Sequence, residues 1–401
     1  MDPLIRFCTL DFDERKSMYS EKTNRIVIYT VGFVFLALFV WCLVKPVDDF
    51  SASERRPLKS MPELTIESVV NGRFMEEFET YASDQFPLRD LFRRGKVWFA
   101  GSVLGQKEQN KIYREEGHLS KLEYPLDLES VENAGEQFQS LYQYYVKDAG
   151  GKAYLSIVPD KNLFLAEPNG YPSMDYEALV EQLRATTPDL EYVDIFPLLQ
   201  VEDYYDTDPH WRQEQIVDVA EKLLQAMQTS AREQMEPAED RAVVQEPEIF
   251  LLDTPFYGVY AGQYGLKTEG EPIYYLKYAD FDNCIVTDLE TNQSIPIYDM
   301  ERAKGRDPYE MFLSGSKSLL RIDNPTGPKG KRLILFRDSF GSSIAPLFVP
   351  CYEQIILVDI RYIRGDVLQY FVDFKGADVL FLYSTLVLNN SITLQGNLHI
   401  N

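Results

Sequence analysis

The sequence predicts an α/β protein, a mainly parallel sheet flanked by helices, preceded by one N-terminal transmembrane helix. Three observations carry this expectation. Residues Ile26 to Val44 run 19 positions without a charge. From about Val131 onward, short apolar runs alternate with amphipathic segments, the pattern of strand–helix repeats that build a parallel sheet. Late in the chain, Leu333-Ile334-Leu335-Phe336 ends abruptly in Arg337-Asp338-Ser339-Phe340-Gly341. That is a strand entering a tight elbow, and the apolar spacing from Ser342 to Val349 continues it as a helix.

Taken in order, the chain begins with a polar arm, residues 1–25, ahead of the span 26–44. At ~1.5 Å per residue, a helix over the span approaches the ~30 Å hydrocarbon thickness. The run exceeds a signal-peptide core, and no Ala-x-Ala-like cleavage site follows it, so it reads as an anchor. Arg6, Arg15, Lys16, Lys22 and Arg25 precede it, against Lys45, Arg55, Arg56 and Lys59 just after, a faint positive-inside bias. Residues 45–65 read as a juxtamembrane linker, and 66–401 as the main domain. Ile66 to Phe99 is expected to be largely helical, with Phe74, Phe78, Tyr81 and Phe86 as a core-facing aromatic stripe interrupted at Pro87. Ile112-Tyr113 and Leu119-Ser120 flank Glu115-Glu116-Gly117 as a small hairpin.

The alternation then starts with a helix over Val131 to Val146 and a strand over Ala153 to Val158. A helix over Tyr176 to Ala185 and a strand over Glu191 to Ile195 follow, leading into Asp208-Pro209-His210-Trp211. Ile216, Val219, Ala220, Leu223, Leu224 and Met227 form the apolar stripe of a helix that anchors this loop. Residues 249–300, rich in Tyr, Val, Ile and Gly without helical period, read as a β-rich insertion. Strands at Leu319 to Ile322, Leu333 to Phe336, Gln354 to Val358 and Val379 to Tyr383, with a helix over Asp366 to Phe374, complete the sheet.

Composition excludes several functions. The net charge is −23, and five of the 40 basic and five of the 63 acidic residues fall in 1–44, so 35 face 58 in the remainder. So acidic a domain is a poor fit to nucleic acid, whose phosphates demand basic patches. Of four cysteines, only Cys284 and Cys351 lie in the main domain away from the span, and they are read as two buried thiols or one bridge. No Cys-x-x-Cys or His-Glu-x-x-His spacing exists for zinc, and no P-loop or Gly-x-Gly-x-x-Gly for a nucleotide, so no metal and no cofactor is expected.

The elbow carries the chemistry. A hydroxyl at Ser339, between a strand's carboxyl end and a helix N-terminus, is exposed where backbone N–H groups favour an oxyanion. Serine needs a base, and the chain offers only His118, His210 and His399. His210 follows Asp208 by two residues, a carboxylate placed to orient it; His118 and His399 read as surface histidines. Asp338 has a second reading as a simple helix cap.

The Asp-x-His-Trp segment paired with Asp-Ser-Phe-Gly resembles the DHHW protein family and, more distantly, the SGNH-like domains of alginate O-acetyltransferases. Further landmarks agree with that family: Glu77-Phe78-Glu79-x-Tyr81, Asp84-Gln85-Phe86-Pro87-Leu88-Arg89-Asp90, Val158-Pro159-Asp160-Lys161, Phe312-Leu313-x-Gly315, Tyr352-Glu353-x-Ile355 and Val358-Asp359-Ile360-Arg361-Tyr362. The resemblance spans about residues 54 to 385. It implies an SGNH-like fold, a short cytoplasmic arm and an extracytoplasmic domain at the cell membrane. It also implies O-acetyl transfer to a cell-envelope or exported polysaccharide, using Ser339 as nucleophile, His210 as base and Asp208 as its partner. A membrane-bound O-acyltransferase would be the acyl donor's carrier. Ser316, Phe340, Asp338 and Arg337 are the candidates for the oxyanion or binding positions. The chain departs from the family at Pro209, where a second His is common, and at Ser316 and Ser342, where Asn is common. A serine hydroxyl rotates and is a less preorganised donor than an Asn amide. A carbohydrate esterase, or a noncatalytic glycan-binding or scaffold protein of the envelope, are therefore the alternatives.

Overall fold

The computed structural model describes residues 12–396 apart from 52, 55, 233–245 and 266–268. His399 and Cys8 lie outside the described residues. The chain divides into two compact units, one up to Lys96 and one from Val97; the expected boundary at 65/66 falls inside the first.

In the first unit, α1 (Phe12–Val44) contains a 24-residue stretch, Glu21–Val44, that is long and apolar enough to cross a membrane and has no buried residue. Helices α2 (Ile66–Val70), α3 (Arg73–Asp84) and α4 (Arg89–Ser102), the last of which runs past Lys96 into the second unit, replace the expected long helical segment. Gly72, at φ 81°, separates the first two. Polar groups hold this unit together more than its aromatic stripe does. Asp84 accepts from Arg56 at 2.5 and 2.9 Å, and Glu54 lies 2.6 Å from Arg89 and 3.2 Å from Arg93. The aromatic stripe is not core: Phe78 is exposed and Phe74, Tyr81 and Phe86 are half-buried, stacking on each other or on Phe92. A unit this small has too little interior to enclose them.

The second unit carries the sheet. Hairpin β1 (Ile112–Glu115) and β2 (His118–Lys121) turns through Glu116 and Gly117, both at positive φ. Then follow α5 (Leu128–Leu141), β3 (Ala153–Val158), α6 (Tyr176–Thr186), β4 (Glu191–Tyr192) and α7 (Val217–Arg232). Asp127 and Asp175 cap α5 and α6 by accepting from the amides of Ser130 and Ala178. The segment read as an insertion holds β5 (Glu248–Leu251), α8 (Val259–Tyr264), β6 (Tyr274–Lys277), β7 (Ile285–Asp288) and β8 (Gln293–Ile295). After it come β9 (Leu319–Asp323), β10 (Arg332–Arg337), α9 (Gly341–Phe348), β11 (Gln354–Val358) and β12 (Asp378–Ser384).

The main sheet runs β8-β7-β9-β11-β10-β12-β3-β4. From β11 to β4 every pairing is parallel, while β9, β7 and β8 form an antiparallel edge. The region read as an insertion thus divides: β5 and β6 pair as a separate ribbon, and β7 and β8 extend the central sheet. The segment 366–374 is not an α-helix but a 3₁₀ stretch, Gly365–Tyr370, whose only buried side chain is Leu368. Too short an apolar face is covered there to support longer α turns.

Alternation in the central strands explains the three layers. Leu333, Leu335, Ile355, Leu357, Leu380 and Leu382 face one side, against Val219, Leu223 and Met227 of α7 and Ile344 and Phe348 of α9. Their neighbours Ile334, Phe336, Ile356, Val358, Val379 and Phe381 face the other, against Val131 and Phe138 of α5 and Leu179 and Leu183 of α6. Strands buried on both faces read as continuous apolar runs, which is why they were visible in the sequence. Phe336 is fully buried and stacks on Phe381 at 4.5 Å between centroids. Phe336→Ala is expected to cost ~3–5 kcal/mol of stability, read as a lowered urea midpoint.

Candidate active site

The parallel strands end on one edge, and the chemistry-bearing side chains gather there, as topology favours in open α/β sheets. β10 stops at Arg337 and α9 starts at Gly341, leaving a tight elbow closed by Gly341 N–H to Asp338 C=O and Ser342 N–H to Ser339 C=O, both 3.1 Å. Glycine is required at 341, because a Cβ would stand 2.4 Å from that of Arg337. Asp338 is fully buried and pins the elbow to the end of β12. It accepts from Phe340 N–H at 3.0 Å and from Ser384 N–H and Oγ at 2.8 and 2.6 Å.

His210 reaches this elbow from the loop between β4 and α7. Its Nε2 lies 2.8 Å from Ser339 Oγ and its Nδ1 2.6 Å from Asp208 Oδ1. Asp208 is buried and also accepts from His210 N–H at 3.2 Å and Val259 N–H at 2.9 Å. A carboxylate accepts, so Nδ1 carries the imidazole proton and Nε2 is left to accept from Ser339. The ring lies against Tyr309, at 4.0 Å and 12°, and is flanked by Phe340 at 4.9 Å. Tyr309 OH and Trp211 Nε1 both donate to Ser343 Oγ, at 2.9 and 2.8 Å, which fixes the aromatic wall. Nothing in the sequence marked Tyr309, since a tyrosine in a Pro-containing turn carries no periodic signal.

The other anticipated residues fall elsewhere. Phe340 contributes its ring, but its N–H is taken by Asp338. Arg337 is fully buried, 3.7 Å from Asp359, and so faces the interior rather than a substrate. Ser316 is exposed beside a left-handed turn in which Leu313, Ser314 and Gly315 have φ of 54°, 58° and 82°. Pro209 does not turn His210 away, since both ring nitrogens keep their partners. His118 corrects its reading as a surface histidine. It is buried on β2, 3.5 Å from Asp206, and burial holds its imidazolium below the usual range, with Lys161 adding to the effect. Cys284 and Cys351 are half-buried thiols that form no disulfide.

Two charged residues beyond the end of β3 are fully enclosed. Lys161 Nζ donates to the carbonyls of Tyr205 and Asp206 at 2.8 and 3.1 Å, and burial pulls its ammonium down to about 8. Asp160 accepts from Thr385 Oγ1 at 2.7 Å and Asn162 N–H at 2.8 Å, yet burial pushes it up to about 6. An unfolded Asp titrates near ~3.9, so the native state holds this proton more tightly. Its contribution to stability is full below the unfolded value and is lost as pH rises through about 6. The melting temperature of wild type minus that of Asp160→Asn is therefore expected to fall between about pH 4 and 6.

A serine on a strand-to-helix elbow, facing an imidazole delivered by a separate loop at the carboxyl edge of a parallel sheet, defines the fold as SGNH-like. More particularly, it is the fold of a DHHW family protein from Eubacterium siraeum, 18% identical, with a TM-score of 0.55 over 73% of this chain and 98% of that one. PatB1 of Bacillus cereus shares it in two structures. One carries a sulfonyl adduct (TM-score 0.56, 19% identity, 69% of this chain and 95% of that one), and the other does not (0.55, 20%, 69% and 96%). No protein-family model matches the chain, and no curated protein matches it.

Proposed function

We propose that this chain is a membrane-anchored, serine-dependent O-acetyltransferase acting on a cell-envelope or exported polysaccharide. The observation that carries the reading is the continuous Ser339–His210–Asp208 contact, 2.8 and 2.6 Å long. Ser339 Oγ attacks the acyl carbonyl while its proton passes to His210 Nε2, and Asp208 stabilises the resulting imidazolium. The tetrahedral intermediate collapses, the donor's leaving oxygen or sulfur takes that proton, and an acetyl ester remains on Ser339. A glycan hydroxyl then gives its proton to His210 and attacks the ester, and His210 returns the proton to Ser339. Water in place of the glycan makes the same site an esterase.

Among the elbow amides, those of Phe340, Gly341 and Ser342 are already bonded within the turn, which makes Ser339 N–H the elbow's candidate oxyanion donor. The resemblance of the landmarks to DHHW and alginate-type proteins supports the glycan acceptor, a membrane-bound O-acyltransferase as carrier of the acyl donor, and an extracytoplasmic main domain. The span Glu21–Val44 supports the anchor. Because PatB1 accepts a sulfonyl adduct, the test is a sulfonyl fluoride on the full-length protein. Stoichiometric label at Ser339, absent from His210→Ala, is expected, and an unlabelled wild type rejects the reading. Acetylated saccharide against free acetate, measured with an acetyl ester donor, then separates transfer from hydrolysis. Protease added to intact cells should remove the main domain; its protection would reverse the orientation.

A further inference from the structure

We infer that Glu271, together with Lys161 on the opposite side, is a positioning residue that holds the Asp208–His210 loop in register with Ser339. The inference deepens the acyl-transfer reading and rests on it for its catalytic meaning. The loop from Tyr204 to Trp211 is a tight reversal closed by Tyr205 N–H to His210 C=O at 3.0 Å. Such a reversal carries few internal bonds, so something outside it must fix where Asp208 and His210 point.

Each backbone polar group of Asp206 and Thr207 is anchored outside the loop. The amides of Asp206 and Thr207 donate to Glu271 at 2.7 and 2.9 Å, and Thr207 Oγ1 donates to the same carboxylate at 2.5 Å. The Asp206 carbonyl accepts from Leu119 N–H and from Lys161 Nζ, and the Thr207 carbonyl accepts from Tyr260 N–H at 3.0 Å. Thr207 Oγ1 in turn accepts from Gly258 N–H at 2.8 Å, next to the Val259 amide that binds Asp208. An anion thus gathers the loop's donors, and a cation gathers its acceptors.

Glu271 is itself rigid. Its side chain is buried, and its backbone exchanges two hydrogen bonds with Phe256, at 2.8 and 2.9 Å. Four donors converge on its carboxylate, the fourth being Arg212 Nη2 at 3.4 Å, a demand that Gln cannot meet, because one end of an amide would face a donor with a donor. Glu271 belongs to the region between α7 and β7, outside the central sheet. The acid–base loop is therefore completed by a part of the chain that the parallel strands do not supply.

The test uses the full-length chain in detergent. Downfield proton NMR reads the His210 Nδ1–H held by Asp208, identified by its loss in His210→Gln. The same samples are titrated with phenylmethanesulfonyl fluoride, separating the saturating inactivation rate from apparent affinity. In Glu271→Gln, the resonance is expected to broaden or vanish and the saturating rate to fall ~10–100-fold, with affinity and final stoichiometry unchanged. Thr207→Val preserves shape while removing the shared hydroxyl, and gives the same result if Glu271→Gln fails to fold. A resonance of wild-type position and width in the folded variants overturns the inference, as does its absence from wild type. A reduced final stoichiometry at an unchanged rate marks a role in folding alone and also overturns it. If wild type shows the resonance but takes no label, the acyl-transfer reading fails while the resonance still decides the positioning role.

Discussion

Ser339→Ala is expected to abolish the acyl-enzyme and to lower p-nitrophenol release from its acetyl ester by on the order of 10⁴–10⁶-fold while leaving the fold intact. The side chain gives up one hydrogen bond, to His210, worth ~1 kcal/mol, so thermal stability should hardly move. His210→Ala should fall in the same range, because the imidazole touching Ser339 Oγ belongs to the same step. Adding it to Ser339→Ala should cost little more, since residues acting as a unit are not additive. Asp208→Asn is expected to lose ~10⁴-fold, because an amide would disturb the tautomer that leaves Nε2 free to accept. The measurement is single-turnover release of p-nitrophenol from its acetyl ester by folded protein. A Ser339→Ala protein that still shows a wild-type burst would remove Ser339 from the mechanism.

How much of this site was legible in the sequence follows from the kind of signal each part carries. The strand into Ser339 stood out because both of its faces are covered, making an unbroken apolar run with a sharp polar end. His210 stood out because histidine is scarce here and an aspartate lies two residues away. The helix over 217–232 was visible because its apolar spacing follows the α period. By contrast, the bonds that place His210 are made by single polar residues, Lys161 and Glu271, and by backbone amides at 258 and 259. No periodicity attaches to such contacts, so linear sequence does not announce them. His118 was misread for a related reason. Both faces of β2 are covered, as Leu119 and Ser120 are also buried, and a polar residue there does not point to water. The antiparallel edge was hidden because β7 and β8 share their composition with the ribbon of β5 and β6, and composition does not say which sheet a strand joins.

Gly258→Ala is expected to lower the rate of Ser339 modification by ~10²-fold, an effect of one methyl group on a residue that no catalytic step touches. At φ −64° and ψ 163°, Gly258 has a backbone that alanine adopts freely, so no conformational penalty enters. The penalty is spatial. A Cβ there would stand 2.1 Å from the Thr207 carbonyl oxygen and 2.5 Å from the Asp208 Cβ. Neither atom is the free end of a flexible side chain, so relief requires the loop or the start of α8 to retreat by ~1 Å, and proton transfer between His210 and Ser339 does not tolerate that displacement. Overpacking of this kind also costs ~1–3 kcal/mol, so modification is to be normalised to folded protein. Gly101→Ala is the control, because the nearest atom to its new Cβ would be 3.9 Å away and it contacts nothing at the site. Lengthening the Thr207–Gly258 approach should weaken the three bonds that α8 and its leading residue make to the loop, those of the Gly258, Val259 and Tyr260 amides. A Gly258→Ala protein that folds and is modified at the wild-type rate would show that the loop holds His210 without support from this segment.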